Sequence, residues 1–566
     1  MQDGRLTVSR NGFPIAFTPK IFSSLREGYD QARFRADATA GITVAIVALP
    51  LAMALGIASG ASPDKGLITA VIAGFLISFL GGSRVQVGGP TGAFVVVVFN
   101  VIAQHGYDGL LLATLMAGVI LTIAGYAKFG QLIKFIPHPV VTGFTAGIAV
   151  IIATSQVKDF LGLSIASVPA DFLPKWGAYF GALKTISVST LGVGAAALAL
   201  IIVLLKLAPR LPGFLIAVVI ASVAVVLLKL PVDTIGSRFP NMPTGLPMPH
   251  LPAFSIGKMR EVLPSAFTIA FLAGIEALLS AVVADGMTGF RHRSNQELVG
   301  QGIANIASAI FGGLPATGAI ARTATNIKAG ARTPVAGILH AAFLLIFILF
   351  GSKLMAFVPM AALAAILFMV AWGMSEAKHF IGYLRMPNAD RAVLLLTFGL
   401  TVLVDLTVAI GVGVTLASLL FMARMSETVE VSANGHDVSE EDEEDEDEHQ
   451  RDAIPEGVEV FRISGPFFFG AVGGLLDAFR AMGQPPRIII VRMRLVPMID
   501  ATGVRAVEEF VNQAARTGTK VIFSGVMPQP LEMLRRVRLG PQDERVQFAF
   551  NYPEALRLAA CAGVSA

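Results

Sequence analysis

Two stretches decide how the chain is read: GGPTGA at residues 88–93 and, more than two hundred residues later, GGLPATGA at 312–319. Glycine and proline interrupt a helix, and a helix that resumes after such a phrase starts with backbone N–H groups lacking an intrahelical acceptor. Each start carries partial positive charge. Each phrase also opens an apolar segment, 90–104 and 316–329, that falls short of the roughly 20 helical residues a bilayer requires. Two broken helices facing each other across an inverted repeat would hold an anion near the bilayer midplane. The donors would be Thr91, Gly92 and Ala93 on one side and Thr317, Gly318 and Ala319 on the other. The alternative is a pair of ordinary turns with small-residue helix packing.

The surrounding sequence is that of a membrane protein. Of 566 residues, 54% are apolar and only 14% charged, with a mean hydropathy of +0.70, too apolar for a soluble chain of this length. Runs such as LITAVIAGFLISFL (67–80) and LLLATLMAGVILTIAGYA (110–127) leave no polar face for water. Fourteen such segments fall between 37 and 424. The first 36 residues carry Arg5, Arg10, Lys20, Arg26, Arg33 and Arg35 without an apolar core, unlike a cleaved signal. A cytoplasmic N-terminus and an even count place the C-terminus in the cytoplasm. Lys128, Lys206, Arg291, Arg293, Lys328, Arg332, Lys378 and Arg385 then fall in inside connections, as the positive-inside rule expects. The single cysteine, Cys561, excludes an internal disulfide and offers no metal spacing. No nucleophile, nucleotide or metal motif and no clustered basic surface is present, so the sequence predicts neither an enzyme, nor a cofactor or metal site, nor a nucleic-acid partner.

Charges within apolar spans are costly and mark function or pairing. Glu276 is the only charge in VLPSAFTIAFLAGIEALLSAVVA (262–284), and Ser280 follows one turn later on the same face. Glu276 either carries a proton, or binds Na⁺ with Ser280 and exposed carbonyls, or is a structural carboxylate. Arg322 follows the second phrase and either supplies fixed positive charge beside the anion or neutralises Glu276. Pro50 opens the first helix or merely kinks it, and Leu51 and Leu55 beyond it could wall the site. His138 and His340 are placed at segment ends.

Beyond Arg424 the character changes. Nine consecutive acids at 440–448 repel one another and read as a disordered linker. VEVFRISGPFFF (458–469), RIIIVRM (487–493) and KVIFSGV (520–526) then alternate with helical patterns over about a hundred residues, as in a small α/β domain.

The stretches AGITVAIVALPLAMAL (40–55), GGSRVQVGGPTGAFVV (81–96), DGMTGFRHRSNQELVGQGIANI (285–306), FGGLPATGAIARTATN (311–326) and MVAWGMSEAKH (369–379) resemble the sulfate permease (SulP) family of anion transporters. The resemblance implies an α-helical polytopic protein with 14 transmembrane segments in a 7+7 inverted repeat and a cytoplasmic α/β STAS domain. It divides the chain into a cytoplasmic segment (1–36), a transport domain (37–424), an acidic linker (425–454) and the STAS domain (455–560). It also implies a homodimer in the lipid of the bacterial inner membrane and alternating access between a mobile core and a gate.

VKDFLGL (157–163) and AWGMSEA (371–377) look like the DauA-like branch, which imports four-carbon dicarboxylates such as succinate, fumarate or aspartate. PATGAIARTATN resembles the sodium-dependent bicarbonate branch. The leading expectation is proton-coupled dicarboxylate uptake, with sulfate or bicarbonate transport as alternatives, and an uncoupled channel or STAS-linked sensor as the rival classes. The family places the anion at Thr91, Gly92, Ala93, Thr317, Gly318 and Ala319, with Leu51, Leu55 and Arg322 around it, and coupling at Glu276 and Ser280. Sodium-coupled relatives have an aspartate and a threonine where this chain has Glu276 and Ser280, which shifts the expectation toward protons. In MIDATGVRAVEEF (498–510), Thr502 matches a position phosphorylated in related STAS proteins that bind regulatory protein partners. It reads either as such a site or as a helix N-cap.

Overall fold

A computed structural model describes residues 17–564 apart from 132–136, 166–167, 170, 209–210, 241–244, 405, 434–453, 456, 471, 482–484 and 541. The acidic tract and residues 1–16 of the basic N-terminal segment therefore lie outside the described residues. The chain divides into two compact units, Met1–Val414 and Thr415–Ala566.

The first unit is helical. Helix α1 (Lys20–Arg26) precedes α2 (Gln31–Ala58) and α3 (Pro63–Leu80), after which a two-residue strand, β1 (Gly88–Gly89), and a 3₁₀ turn (Gly92–Phe94) lead into α4 (Val95–Tyr126). Then come α5 (His138–Leu161), the short α6 (Phe172–Gly181), α7 (Val188–Leu207), α8 (Gly213–Leu227) and α9 (Ile235–Arg238). The second half holds α10 (Ile256–Thr288), α11 (Ser294–Ile310), strand β2 (Thr317–Gly318) and the nine-residue α12 (Ile320–Lys328). It continues with α13 (Val335–Met355), α14 (Met360–Met374), α15 (Ala377–Tyr383), α16 (Asn388–Leu403) and α17 (Leu406–Glu427).

Eight helical stretches among the described residues are long and apolar enough to cross a membrane, and shorter apolar helices accompany them. The protein is a polytopic helical membrane protein. Helix α4 is interrupted at Gly106, whose φ of 70° and ψ of −179° are not helical. Taken as two pieces there, it supplies both apolar segments expected between 90 and 127. Helix α2 is helical on both sides of Pro50, although the missing proline N–H leaves the Ile46 carbonyl without its usual donor.

Packing repeats between the halves. Helix α4 packs on α11 and α10 as α13 packs on α3 and α2, and α5 packs on α16 as α14 packs on α7. An inverted repeat produces this exchange of partners. Small residues allow the close approaches, since lipid supplies no hydrophobic drive between helices. At Gly66 an added Cβ would lie 1.9 Å from the Ala52 carbonyl oxygen. Gly66→Ala is therefore expected to force α2 and α3 apart and cost about 1–3 kcal/mol, read as a lowered thermal midpoint in detergent.

Two buried carboxylates tie distant segments together. Asp37 of α2 accepts from the Arg332 and Thr333 amides at 2.8 and 3.1 Å and from the hydroxyls of Thr333 and Tyr29. Glu297 of α11 accepts from the Gly82 and Ser83 amides at 2.8 and 3.1 Å and from Gln301 at 2.8 Å. Each meets the desolvation cost of a buried charge with several donors. His340 also departs from expectation: it lies inside α13, fully buried, with neither ring nitrogen bonded. Its helix begins at Val335 and packs on α2, which takes His340 away from a segment end.

The second unit contains a five-stranded sheet in the order β3 (Glu430–Ala433), β4 (Val458–Ser464), β5 (Ile488–Leu495), β6 (Lys520–Ser524), β7 (Val546–Ala549). The β3–β4 pair is antiparallel and the rest parallel. Helices α18 (Gly473–Ala481), α19 (Ala501–Arg516), α20 (Pro528–Arg536) and α21 (Tyr552–Val564) connect or follow the strands. Alternation along β5 sends Ile489, Val491 and Met493 into a core with Phe461, Phe510 and Phe523. Ile488 and Ile490 face the other way, toward Tyr552 and Ala555.

Candidate anion site

The two repeated phrases meet. β1 and β2 form an antiparallel pair with Gly88 opposite Gly318 and Gly89 opposite Thr317, and the Ala319 amide donates to the Val87 carbonyl at 3.0 Å. Glycine is required on both sides. Gly89 has a φ of 149°, and a Cβ there would lie 2.2 Å from Arg322 Nη1. A Cβ on Gly318 would lie 1.4 Å from the Gln86 amide nitrogen. Behind the crossing, Asn305 of α11 acts as a further strand edge: it donates to the Ala316 carbonyl at 2.8 Å and accepts from the Ala316 amide at 2.9 Å. A lone amide in the apolar run GIANI was the available signal for this clamp.

Each strand runs straight into a helix start, at Gly92 and at Ile320, and neither start is capped by a side chain. The first-turn N–H groups of both have no intrahelical acceptor. A cavity of about 360 Å³ lies at these starts. Thr91, Gly92 and Ala93 line it from one side and Ala319, Ile320 and Arg322 from the other, with Leu51 and Leu55 of α2 and Glu276 of α10. Phe144 and Met374, not singled out from the sequence, complete apolar walls.

Within it, the Thr91 hydroxyl donates to the Glu276 carboxylate at 2.8 Å. Arg322 is 2% exposed; Nη2 donates to the Pro90 carbonyl at 2.7 Å, while Nε and Nη1 have no partner. No ion pair within 4 Å joins Arg322 to Glu276 among the described residues. A guanidinium with unused donors in a low-dielectric site is a strong attractor for an oxyanion.

Three expected residues sit behind this cavity. Thr317 donates to the Ala273 carbonyl at 2.8 Å, fixing β2 against α10. Gly318 lies in the crossing itself. Ser280 is buried and donates to the Thr323 hydroxyl at 3.2 Å, and that oxygen also accepts from the Val87 amide. In the second unit, Asp500 rather than Thr502 caps α19, its carboxylate accepting from the Gly503 amide at 2.7 Å. Thr502 is exposed as the second residue of the helix, too far along to serve as the cap. Asp500→Ala should cost about 1 kcal/mol of helix stability, seen in the intact chain as roughly fivefold faster hydrogen exchange in the first turn of α19.

Paired broken helices enclosing an electropositive cavity inside a helical membrane domain define a membrane transporter for anions. The chain belongs to the sulfate permease family: that family's model matches residues 34–397, and a STAS domain model matches 451–544. It is 42% identical over 521 residues to "Putative sulfate transporter YvdB" of Bacillus subtilis, covering 92% of this chain and 96% of that protein. It is 33% identical to the bicarbonate transporter BicA of Picosynechococcus sp., over 89% of this chain and 91% of that one.

Among solved structures, the transmembrane domain of a cyanobacterial BicA superposes with a TM-score of 0.60 at 31% identity, covering 69% of this chain and 98% of that chain. The murine anion transporter Slc26a9 in the inward-facing state gives 0.84 at 17% identity over 99% and 97% of the two chains, a likeness of fold. The relatives are transporters rather than enzymes.

Proposed function

We propose that the chain is a secondary active transporter that moves a small oxyanion with a proton by alternating access. One observation carries the reading: Glu276, the sole charge of its span, accepts a hydrogen bond from Thr91 in the same cavity as the under-used Arg322. The electrostatics link proton and anion. Each helix start contributes roughly half a positive charge and Arg322 a full one, so the site carries about +2 when Glu276 is neutral and about +1 when it is ionised. Binding of an anion therefore favours protonation of Glu276, and release of either favours release of the other. Ser280 is engaged by Thr323, which supports a proton over Na⁺ as the coupling ion.

Sulfate and bicarbonate, the cargoes named for relatives at 42% and 33% identity, head the substrate candidates. A four-carbon dicarboxylate is the second reading, favoured by the apolar walls of Leu51, Leu55 and Phe144, which suit a hydrocarbon body better than a tetrahedral ion needing many donors. The orientation follows the basic loops: both termini in the cytoplasm of a bacterial inner membrane, with the ends of α2 and α5 at Ala58 and Leu161 facing outward. The working unit is a homodimer, and the STAS domain offers exposed Thr502 to a cytoplasmic protein partner.

Uptake of labelled sulfate, bicarbonate and succinate into proteoliposomes, with proton and sodium gradients imposed separately, tests this. Proton-driven accumulation of one of them is expected. Sodium-driven accumulation without a proton requirement would overturn the coupling assignment, and gradient-independent flux of all three would make the protein a channel.

A further inference from the structure

A second pocket, of about 140 Å³, lies further along three of the elements that wall the central cavity. Leu51 and Leu55 of α2 give way to Ile57 and Ala58; Gly92 and Ala93 to Val95 and Phe99; Phe144 and Thr145 of α5 to Ile151 and Ser155. From Thr145 to Ile151 a helix rises about 9 Å. In the orientation proposed above, this pocket lies between the central site and the outer face.

Its charged groups are mostly cationic: Lys158, Lys175 and Arg238, against Asp159. Arg238 consumes Asp159 in an ion pair at 2.9 Å, and Lys158 is held by the Ile165 carbonyl at 2.7 Å. Lys175, on α6, is only 6% exposed. Its ammonium lies 5.5 Å from the centroid of the Phe99 ring and has no carboxylate within 4 Å among the described residues. Tyr179, one turn along the same helix, is buried with its hydroxyl unpartnered. Lysine is rarely buried without a counter-charge. Burial pulls the Lys175 ammonium below the usual lysine pKa, with Asp171 acting against it, and an anion beside Nζ would reverse that penalty.

We propose that this pocket is a separate anion-binding station on the outer side of the transport path, in which Lys175 and Tyr179 hold a small inorganic oxyanion before it reaches the central site. The class of ligand rests on the transporter reading; occupation of the pocket does not require that transport occur.

The chain's two tryptophans are Trp176 and Trp372, and Trp176 packs edge-on against Tyr179 with ring centroids 5.9 Å apart. Trp372→Phe, at an exposed position of α14, leaves Trp176 as the sole reporter. Sodium sulfate titrated onto the full chain in nanodiscs, with ionic strength held by sodium gluconate, should change Trp176 emission saturably. Lys175→Met and Lys175→Gln in that background should abolish the response, Tyr179→Phe should weaken apparent affinity about threefold to tenfold, and Arg322→Gln should leave it in place. Lys175→Met should also raise the external KM for uptake without lowering the maximal rate. No saturable response in the Lys175 parent would overturn the proposal, as would a response that survives both Lys175 substitutions or is lost with Arg322→Gln. Absent uptake with an intact, Lys175-dependent response would instead count against the transporter reading alone.

Discussion

Replacing Glu276 by glutamine is expected to abolish proton-driven accumulation while leaving downhill anion exchange in place. Glutamine keeps the shape and can still accept from the Thr91 hydroxyl, which in the native chain donates to Glu276 at 2.8 Å, but it cannot gain or lose a proton. A gradient of one pH unit stores about 1.4 kcal/mol per coupled proton, enough for roughly tenfold accumulation of a carried anion at balance. In proteoliposomes the native chain should approach that ratio for each coupled proton, whereas the variant should stop at equal concentrations across the membrane. Undiminished accumulation by Glu276→Gln would remove the residue from coupling.

The second large effect is expected at Arg322. Its guanidinium is buried, donates once to the Pro90 carbonyl and retains two unpartnered nitrogens. Charge-assisted hydrogen bonds contribute about 1.5–3 kcal/mol, so Arg322→Gln should raise the apparent KM for the anion by about tenfold to a hundredfold. Gly89→Ala provides a geometric companion. Its methyl would occupy the space against Nη1 at 2.2 Å, and its φ of 149° would be strained by any side chain. The same weakening of anion affinity is therefore expected without removal of the charge. An unchanged KM in both variants would mean that the anion does not bind beside Arg322.

What the sequence disclosed followed the spacing of apolar residues and the punctuation of glycine and proline. The repeated GGPTGA and GGLPATGA phrases marked the two broken helices because only glycine permits the crossing of β1 with β2. Glu276 stood out because a lone carboxylate in an apolar span has few cheap explanations. Side-chain partners across long sequence separations were not legible. Nothing beside Asp37 or Glu297 in the sequence shows their partners, backbone amides that donate to them from 295 and 215 positions away. Asn305, Gln86 and Thr323 brace the crossing from behind through contacts set by tertiary packing. The same cause moved Ser280 away from the cavity lining, since one helical turn after Glu276 the face of α10 meets Thr323 of α12. His340 was misplaced because an apolar run shows where a helix lies but not which of its residues meets a neighbour.

The outer cluster escaped the sequence reading for a related reason. Lys158, Lys175 and Arg238 lie on α5, α6 and α9, and nothing in their local surroundings brings them to one pocket. The packing of α6 against α5 and the ion pair of Arg238 with Asp159 do so.

The most direct test is a cryo-electron microscopy map of the homogeneous protein in a saturating concentration of whichever anion, sulfate, bicarbonate or succinate, the uptake assay selects. The account predicts density for the anion at the crossing, bounded by Thr91, Gly92 and Ala93 on one side and Ala319 and Arg322 on the other, and absent in Arg322→Gln. An empty crossing in the saturated native protein, with the anion bound elsewhere, would contradict it.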